Sequence, residues 1–305
     1  MPEPTVRPFS RADRDQLTSL VNAHLSTVTP AASVSVQALL SLLERDPGEF
    51  LVDPWVRQRV TLVAEQRQRI VAAAHVLRYG TEDTVGEQFR GTGEIRWLVC
   101  WPPAPFWPDP DVAGAALLDS CLALLDRWGV PVSYADGSLP GPGVYGVPEQ
   151  WPHIAELYRS VGYVGGRRED VLVATTADLR QLAGSVTGLQ VSRTLGINGT
   201  RLTALRQGVP VGFIEVDSNL GEAGRYSRGP GWADVGNLHV AQPDRRLEVA
   251  GWLLARAADW LELGGIARLL TYSSEDDPDA ALWLQTGFAP LTRTRRQLQR
   301  VHHPR

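Results

Sequence analysis

Asp234 and His239 are the two side chains of the C-terminal half best suited to take a proton from a reacting group. An imidazole titrates near neutrality and a carboxylate is a common general base. Their odd spacing puts them on opposite faces of a regular strand, and a bulge near Gly236-Asn237 would return them to one side. The plainer reading of His239 is a packed polar strand residue. Just downstream, Arg245 and Arg246 stand at the entrance of a helix, where unpaired amides and a partial positive charge suit an anion. Glu248 stands in the same turn and opposes one. At ~5 Å and an effective dielectric near ~20, a like-charge pair costs roughly 3 kcal/mol. With no ligand present, the same carboxylate contributes ~0.3 to 1 kcal/mol at a helix N-terminus.

Other chemistries find no support in the spacing. There is no zinc pattern, nucleotide P-loop or Ser-His-Asp order, so no metal site is expected. Gly91-Thr-Gly93 and Gly141-Pro-Gly143 read as turns. The two cysteines, Cys100 and Cys121, lie in apolar segments and fit a reducing cytoplasm better than a disulfide framework. His302-His303 read as a disordered tail, and Arg293, Arg295, Arg296 and Arg300 as a charged edge on the last strand.

The elements that must position these groups follow from periodicity. A strand at 5–8 leads into a helix begun by Ser10, and a second helix covers 35–44. Strands at 60–64 and 70–77 form a hairpin, and 93–100 is the next strand. Ala113, Leu117, Cys121, Leu124 and Trp128 recur at helical spacing up to Gly129. A strand at 130–135, a Gly/Pro-rich loop, a helix at 152–161 and a strand at 171–175 then close the first unit. The second half repeats this order without its beginning. Strands at 201–206, 210–216 and 234–240 precede a helix whose Leu247, Ala250, Leu254, Ala257 and Leu261 share a face. A strand at 268–272, a helix at 278–286 and a strand at 291–300 complete it.

At 305 residues the chain is about twice a usual domain of ~150. With 43% hydrophobic and 21% charged residues it is a folded globular protein. A net charge of -4 removes any bulk electrostatic drive toward nucleic acid or anionic membranes. The acidic N-terminus has no apolar core of a signal peptide, and no apolar run approaches the ~20 residues of a membrane span. A cytoplasmic location is expected. The two halves match by motif: Asp109-Pro-Asp-Val-Ala-Gly-Ala-Ala-Leu-Leu118 against Arg245-Arg-Leu-Glu-Val-Ala-Gly-Trp-Leu-Leu254, an offset of 136, and Ala155–Tyr163 against Ala280–Phe288, an offset of 125. A duplication accounts for both.

The stretch Asn237–Leu254, with Ala280-Ala-Leu-Trp-Leu-Gln-Thr-Gly-Phe288, resembles the GNAT superfamily of acyl-CoA N-acyltransferases. Two copies cover nearly the whole chain, in a layout similar to that of the mycothiol synthases. The resemblance implies an α/β (α+β) fold of two tandem GNAT-like units, each a mixed, mostly antiparallel sheet flanked by helices. The units are expected at 1–178, with a degenerate coenzyme loop, and 179–305, without the first helices and with a candidate acetyl-CoA site. It further implies that Leu238, His239 and Val240 hold the pantetheine arm and thioester by their backbone, and that Arg245, Arg246, Leu247, Glu248, Val249, Ala250 and Gly251 form the diphosphate loop. Glu248 departs from the family's first loop glycine. In the first half Asp109, Asp111 and Val112 depart further. The family's usual acid, a late-helix tyrosine, is kept as Tyr158 in the first half and replaced by Trp283 in the second, leaving Tyr272 or water as donor there.

The function implied is acetyl transfer from acetyl-CoA to an unidentified small-molecule amine, with the C-terminal copy binding the coenzyme. The alternative is a catalytically inactive GNAT-fold protein that recognises a small molecule or partner. The sequence leaves the acceptor and the oligomeric state open.

Overall fold

The computed structural model describes residues 3–44, 55–102, 110–140, 145–183, 186–218, 231–241 and 246–302. It divides into two compact units, residues 1–168 with 294–305, and residues 169–293.

The first unit runs β1 (Thr5–Pro8), α1 (Arg14–Val28), α2 (Val36–Leu43), β2 (Val56–Gln66), β3 (Arg69–Tyr79), β4 (Gly93–Cys100), α3 (Pro110–Arg127), β5 (Val132–Ala135), β6 (Val147–Pro148) and α4 (Pro152–Ser160). Ser35 caps α2 by accepting the amide of Ala38. Arg67 and Gln68 both take positive φ, as a two-residue hairpin turn between β2 and β3 requires. Eight consecutive residues of β3, Ile70–Leu77, are buried, so the strand is covered on both faces, with α1 and α3 packed on it. Cys100 and Cys121 are buried free thiols pushed up to about 12 by burial, which leaves them unreactive.

The second unit contains β7 (Arg167–Thr175) from residue 169, α5 (Thr176–Arg180), β8 (Leu189–Gly196), β9 (Gly199–Arg206), β10 (Val209–Asp217), β11 (Gly231–Val240), α6 (Arg246–Leu263), β12 (Ile266–Ser274), α7 (Ala280–Gln285) and most of β13 (Ala289–Arg296). The apolar stripe of α6 packs on one face of the sheet, where Val249, Leu253, Leu254 and Ala257 meet Ile214, Val216, Ala233 and Leu269. β8 escapes the sequence reading because most of its residues are exposed and its pattern is polar.

Both sheets are mixed and mostly antiparallel. The first has the order β1-β2-β3-β4-β5-β14, with β14 at Leu298–Val301 and only β4 and β5 parallel. In the second unit the order is β13-β7-β12-β11-β10-β9-β8, in which β11 and β12 are parallel.

The closing strands depart from the sequence reading. Residues 171–175, expected to end the first unit, pair with β12 in the second, from Glu169 against Ser274 to Thr175 against Arg268. The expected last strand breaks at Gln297, whose φ is 58°: β13 stays beside β7 in the second sheet, and only β14 pairs with β5 in the first unit. A strand's alternation specifies which face is buried but not which neighbour it joins. The junction expected at 178/179 therefore lies ten residues beyond the compact boundary at 168/169.

The expected disorder of the tail is also corrected at His302, which is buried. Its Nδ1 lies 2.6 Å from Asp126 Oδ1 and its Nε2 lies 2.7 Å from Ser133 Oγ, which in turn lies 2.7 Å from the Tyr163 hydroxyl. His303 lies outside the described residues. Among the described residues no helix is long and apolar enough to cross a membrane.

Candidate functional site

The site of the second unit is built on β11. Against β10 its register runs Asp217↔Asp234, Val216↔Val235, Glu215↔Asn237 and Phe213↔His239, so Gly236 is one residue too many and forms a bulge. The bulge resets the alternation. Asp234, Asn237 and His239 consequently share the face of Phe213, Glu215 and Asp217, while Val235 and Leu238 turn toward the α6 core. The two expected proton acceptors are thus brought to one side of the sheet. Burial pushes the Asp234 carboxyl up to about 7, and the neighbouring Asp217 charge adds to the shift. His239 is exposed, with its ring 5.7 Å from that of Phe213.

On its other edge β11 pairs with β12 only from Gly231 to Asp234. Beyond Asp234 and Leu270 the parallel strands part, and the edge of β11 from Gly236 to Val240 is not paired to β12. Tyr272, two residues past Leu270, lies on the same face as Asp234.

The first turn of α6 follows. Arg245 lies outside the described residues. Arg246 forms an ion pair with Asp279, just ahead of α7, so its charge is already engaged. Leu247 and Glu248 face solvent, whereas Val249, Ala250 and Gly251 are buried against the core. These last three can offer only backbone to a ligand. Trp283 is buried, edge-on to Phe288 with centroids 5.3 Å apart, and belongs to the core. It is a packing residue at the position where the resemblance places an acid.

The first unit carries the same architecture with different contents. Between β3 and β4 the pairs Leu77↔Glu94, Val76↔Ile95 and His75↔Trp97 leave Arg96 as the bulge, so each residue of this region matches the one 140 positions later. Glu94 corresponds to Asp234, an acid that sequence reasoning missed because nothing local marks it. Tyr79 donates its hydroxyl hydrogen bond to Glu94, and Arg96 lies 3.5 Å from it. Burial, with the Glu94 charge second, pushes Asp136 up to about 6. The Tyr158 hydroxyl is fully buried and donates to the Asp136 carbonyl at 3.4 Å. Burial raises its pKa well above the ordinary value.

Three further contrasts separate the units. Trp97 and Val99 are buried where Asn237 and His239 are open. The Arg96 carbonyl accepts the Ser138 amide at 3.0 Å, which stitches the strand gap one step further. At the helix entrance Asp109 lies outside the described residues, Pro110 supplies no amide, and Val112 is exposed. Among the described residues no group of three or more His, Cys, Asp or Glu side chains is placed to hold a metal.

No protein-family model and no curated protein matches the sequence. Solved structures do match. A tandem GNAT protein from the clavulanic acid biosynthesis pathway aligns with 99% of this chain and 100% of its own, at 17% identity and a TM-score of 0.66. A glucosamine N-acetyltransferase region of a fungal multidomain β-N-acetylglucosaminidase covers 97% of this chain and 38% of its own, at 14% identity and a TM-score of 0.62. A GCN5-related N-acetyltransferase from Sphaerobacter thermophilus covers 98% and 95%, at 14% identity and a TM-score of 0.55. With paired bulges, parting parallel strands and end-to-end likeness to these structures, the chain has the GNAT fold twice, in tandem.

Proposed function

We propose that the protein is an acyl-CoA-dependent N-acetyltransferase whose C-terminal unit binds acetyl-CoA and passes the acetyl group to a small-molecule amine. The observation that carries this reading is the contrast at the two bulges. Only in the second unit do the strands part directly after the acid, with the following residues open to solvent. An extended pantetheine arm can pair with the free edge of β11 as a further strand would.

In this reading the amine nitrogen attacks the thioester carbonyl while Asp234, poised near neutrality, accepts its proton. Backbone amides among Asn237–Val240 stabilise the oxyanion. The C–S bond then breaks, and Tyr272 or a water protonates the departing thiolate. His239 is the second candidate base. The amides that open α6 would take the diphosphate, with Arg246 shared between that anion and Asp279.

Titration of the full chain with acetyl-CoA tests the reading. One coenzyme should bind per chain, and at ~100 Kd it should stabilise the protein by about 2.7 kcal/mol. Amide exchange should slow over 236–240 and the first turn of α6. Protection at 97–115 instead would move the site to the first unit, and no stabilisation at millimolar coenzyme would sink the enzyme reading.

A second reading, a non-catalytic GNAT-fold binding protein, draws on the engaged Arg246, the acidic Glu248 in the first turn and the packed Trp283. Coenzyme binding without free-thiol release across an amine library would favour it.

A further inference from the structure

Where the first unit inserts α1 and α2 between its first two strands, the second joins β8 to β9 through only Ile197 and Asn198. This turn does not stand free. The carboxylate of Glu215, a fully buried residue, accepts the amides of Ile197 at 3.2 Å and Asn198 at 3.3 Å, and Arg201 Nε at 2.7 Å. Burial works against its charge, but Arg201 and the two amides hold the carboxyl below its ordinary range. The Arg201 guanidinium lies over the Phe213 ring at 4.3 Å. Glycine is required beside it, since a Cβ on Gly196 would come within 2.4 Å of the Glu215 carboxylate.

The turn is thereby set down on the β11 bulge. Asn198 Nδ2 donates to the Gly236 carbonyl at 3.3 Å, and a Cβ on Gly236 would fall 2.3 Å from the Asn198 Cβ. In the first unit the corresponding carbonyl, that of Arg96, is taken by the Ser138 amide, and the gap beside it is stitched. The positions of Glu215 and Arg201 are held there by His75 and Thr61, whose side chains bond to each other at 2.8 Å.

We propose that Glu215 and Asn198 are positioning residues: Glu215 fixes the turn, the turn fixes the Gly236 carbonyl, and the strand gap is kept open with the amides of 237–240 aimed at the thioester. This rests on the acetyl-CoA reading above. The consequence is selective, because a misplaced bulge affects contacts to the acetyl carbonyl more than those to the rest of the coenzyme.

The experiment compares the full-length wild type with Asn198→Ala, Asn198→Asp and Glu215→Gln. Amide exchange at 236–240 is followed without ligand, and affinities for acetyl-CoA and for free coenzyme A are measured by calorimetry. Loss of the clamp should speed exchange at 236–240 by about tenfold in both Asn198 variants, since aspartate keeps the shape but removes the donor. Acetyl-CoA affinity should fall by about fivefold or more, and coenzyme A affinity by less than about twofold. Asn198 is exposed, so its variants remain folded even if Glu215→Gln does not. Unchanged exchange, or equal losses for the two ligands, would overturn the assignment. A wild type that binds neither ligand would refute the acetyl-CoA reading and this consequence with it, while the exchange data alone would still decide whether the clamp exists.

Discussion

The two units use one strand register for opposite ends. Glu94 and Asp234 stand at the same place before the same bulge, yet Glu94 is roofed by Tyr79 and Arg96 whereas Asp234 faces Asp217 across the strands. The residues that follow are Trp97 and Val99 in one unit and Asn237 and His239 in the other, buried and open respectively. A fold present twice can thus keep its backbone irregularity while one unit buries the residues after it and the other leaves them open. The bulge is common to both units, and the exposed stretch after it belongs to one.

The largest effect that can break this comparison is catalytic. Asp234→Asn is expected to lower kcat by ~10²- to 10⁴-fold with little change in acetyl-CoA affinity, while Glu94→Gln leaves kcat unchanged. Thiol release with an accepted amine measures both. If Glu94→Gln abolishes turnover and Asp234→Asn does not, the roles of the units are reversed.

Next comes pH. Asp234 and Asp136 have native pKa values raised above the unfolded value near ~3.9, so the folded state holds their protons more tightly. Stability should fall as pH rises from about 4, through about 7 for Asp234 and through about 6 for Asp136, and then level off. Asp234→Asn should remove its part of that decline, raising the melting temperature at pH 8 more than at pH 5. Asp136→Asn should make the decline shallower only up to about pH 6, leaving the Asp234 part up to about 7. Parallel curves for the two variants would show that their burial is alike.

A smaller effect concerns the tail of the first unit. Replacing His302 with alanine removes the side chain between Asp126 and Ser133, and leaves the buried Ser133 hydroxyl with one partner fewer. The cost should be ~1 to 3 kcal/mol of stability, measured by denaturant unfolding, with acetyl-CoA affinity unaffected. The smallest effect should come from Asp279→Asn. Releasing Arg246 from a half-exposed pair is expected to strengthen acetyl-CoA binding by at most about fivefold, since such pairs carry ~0.2 to 1 kcal/mol. Weaker binding would mean that Asp279 orients Arg246 toward the ligand.

The sequence made the fold largely legible through α6 and α7, where apolar periodicity, glycine stops and repeated motifs coincide. It also located the second-unit face, because Gly236 beside Asp234 and His239 raised the possibility of a bulge. What it hid was non-local. Glu215 looks like one polar residue in an alternating strand, and only the fold brings the turn at Asn198 onto it. Arg246 reads as a free cation until the fold brings Asp279, just ahead of α7, against it. His302 sits in a polar, non-periodic tail, and its burial depends on residues more than 160 positions earlier.

The late partner of β5 sets a schedule for synthesis. β5 ends at Ala135 and its partner β14 begins at Leu298, so a ribosome adding ~5 to 20 residues per second leaves that sheet edge unpaired for roughly 10 to 30 seconds. During that wait β7, the next long strand to emerge, is available to the same edge. Pairing of β7 with β5 is therefore a kinetic rival of the native arrangement. The native partner of residues 169–175, β12, emerges about a hundred residues later, and the rival pairing has that interval in which to form.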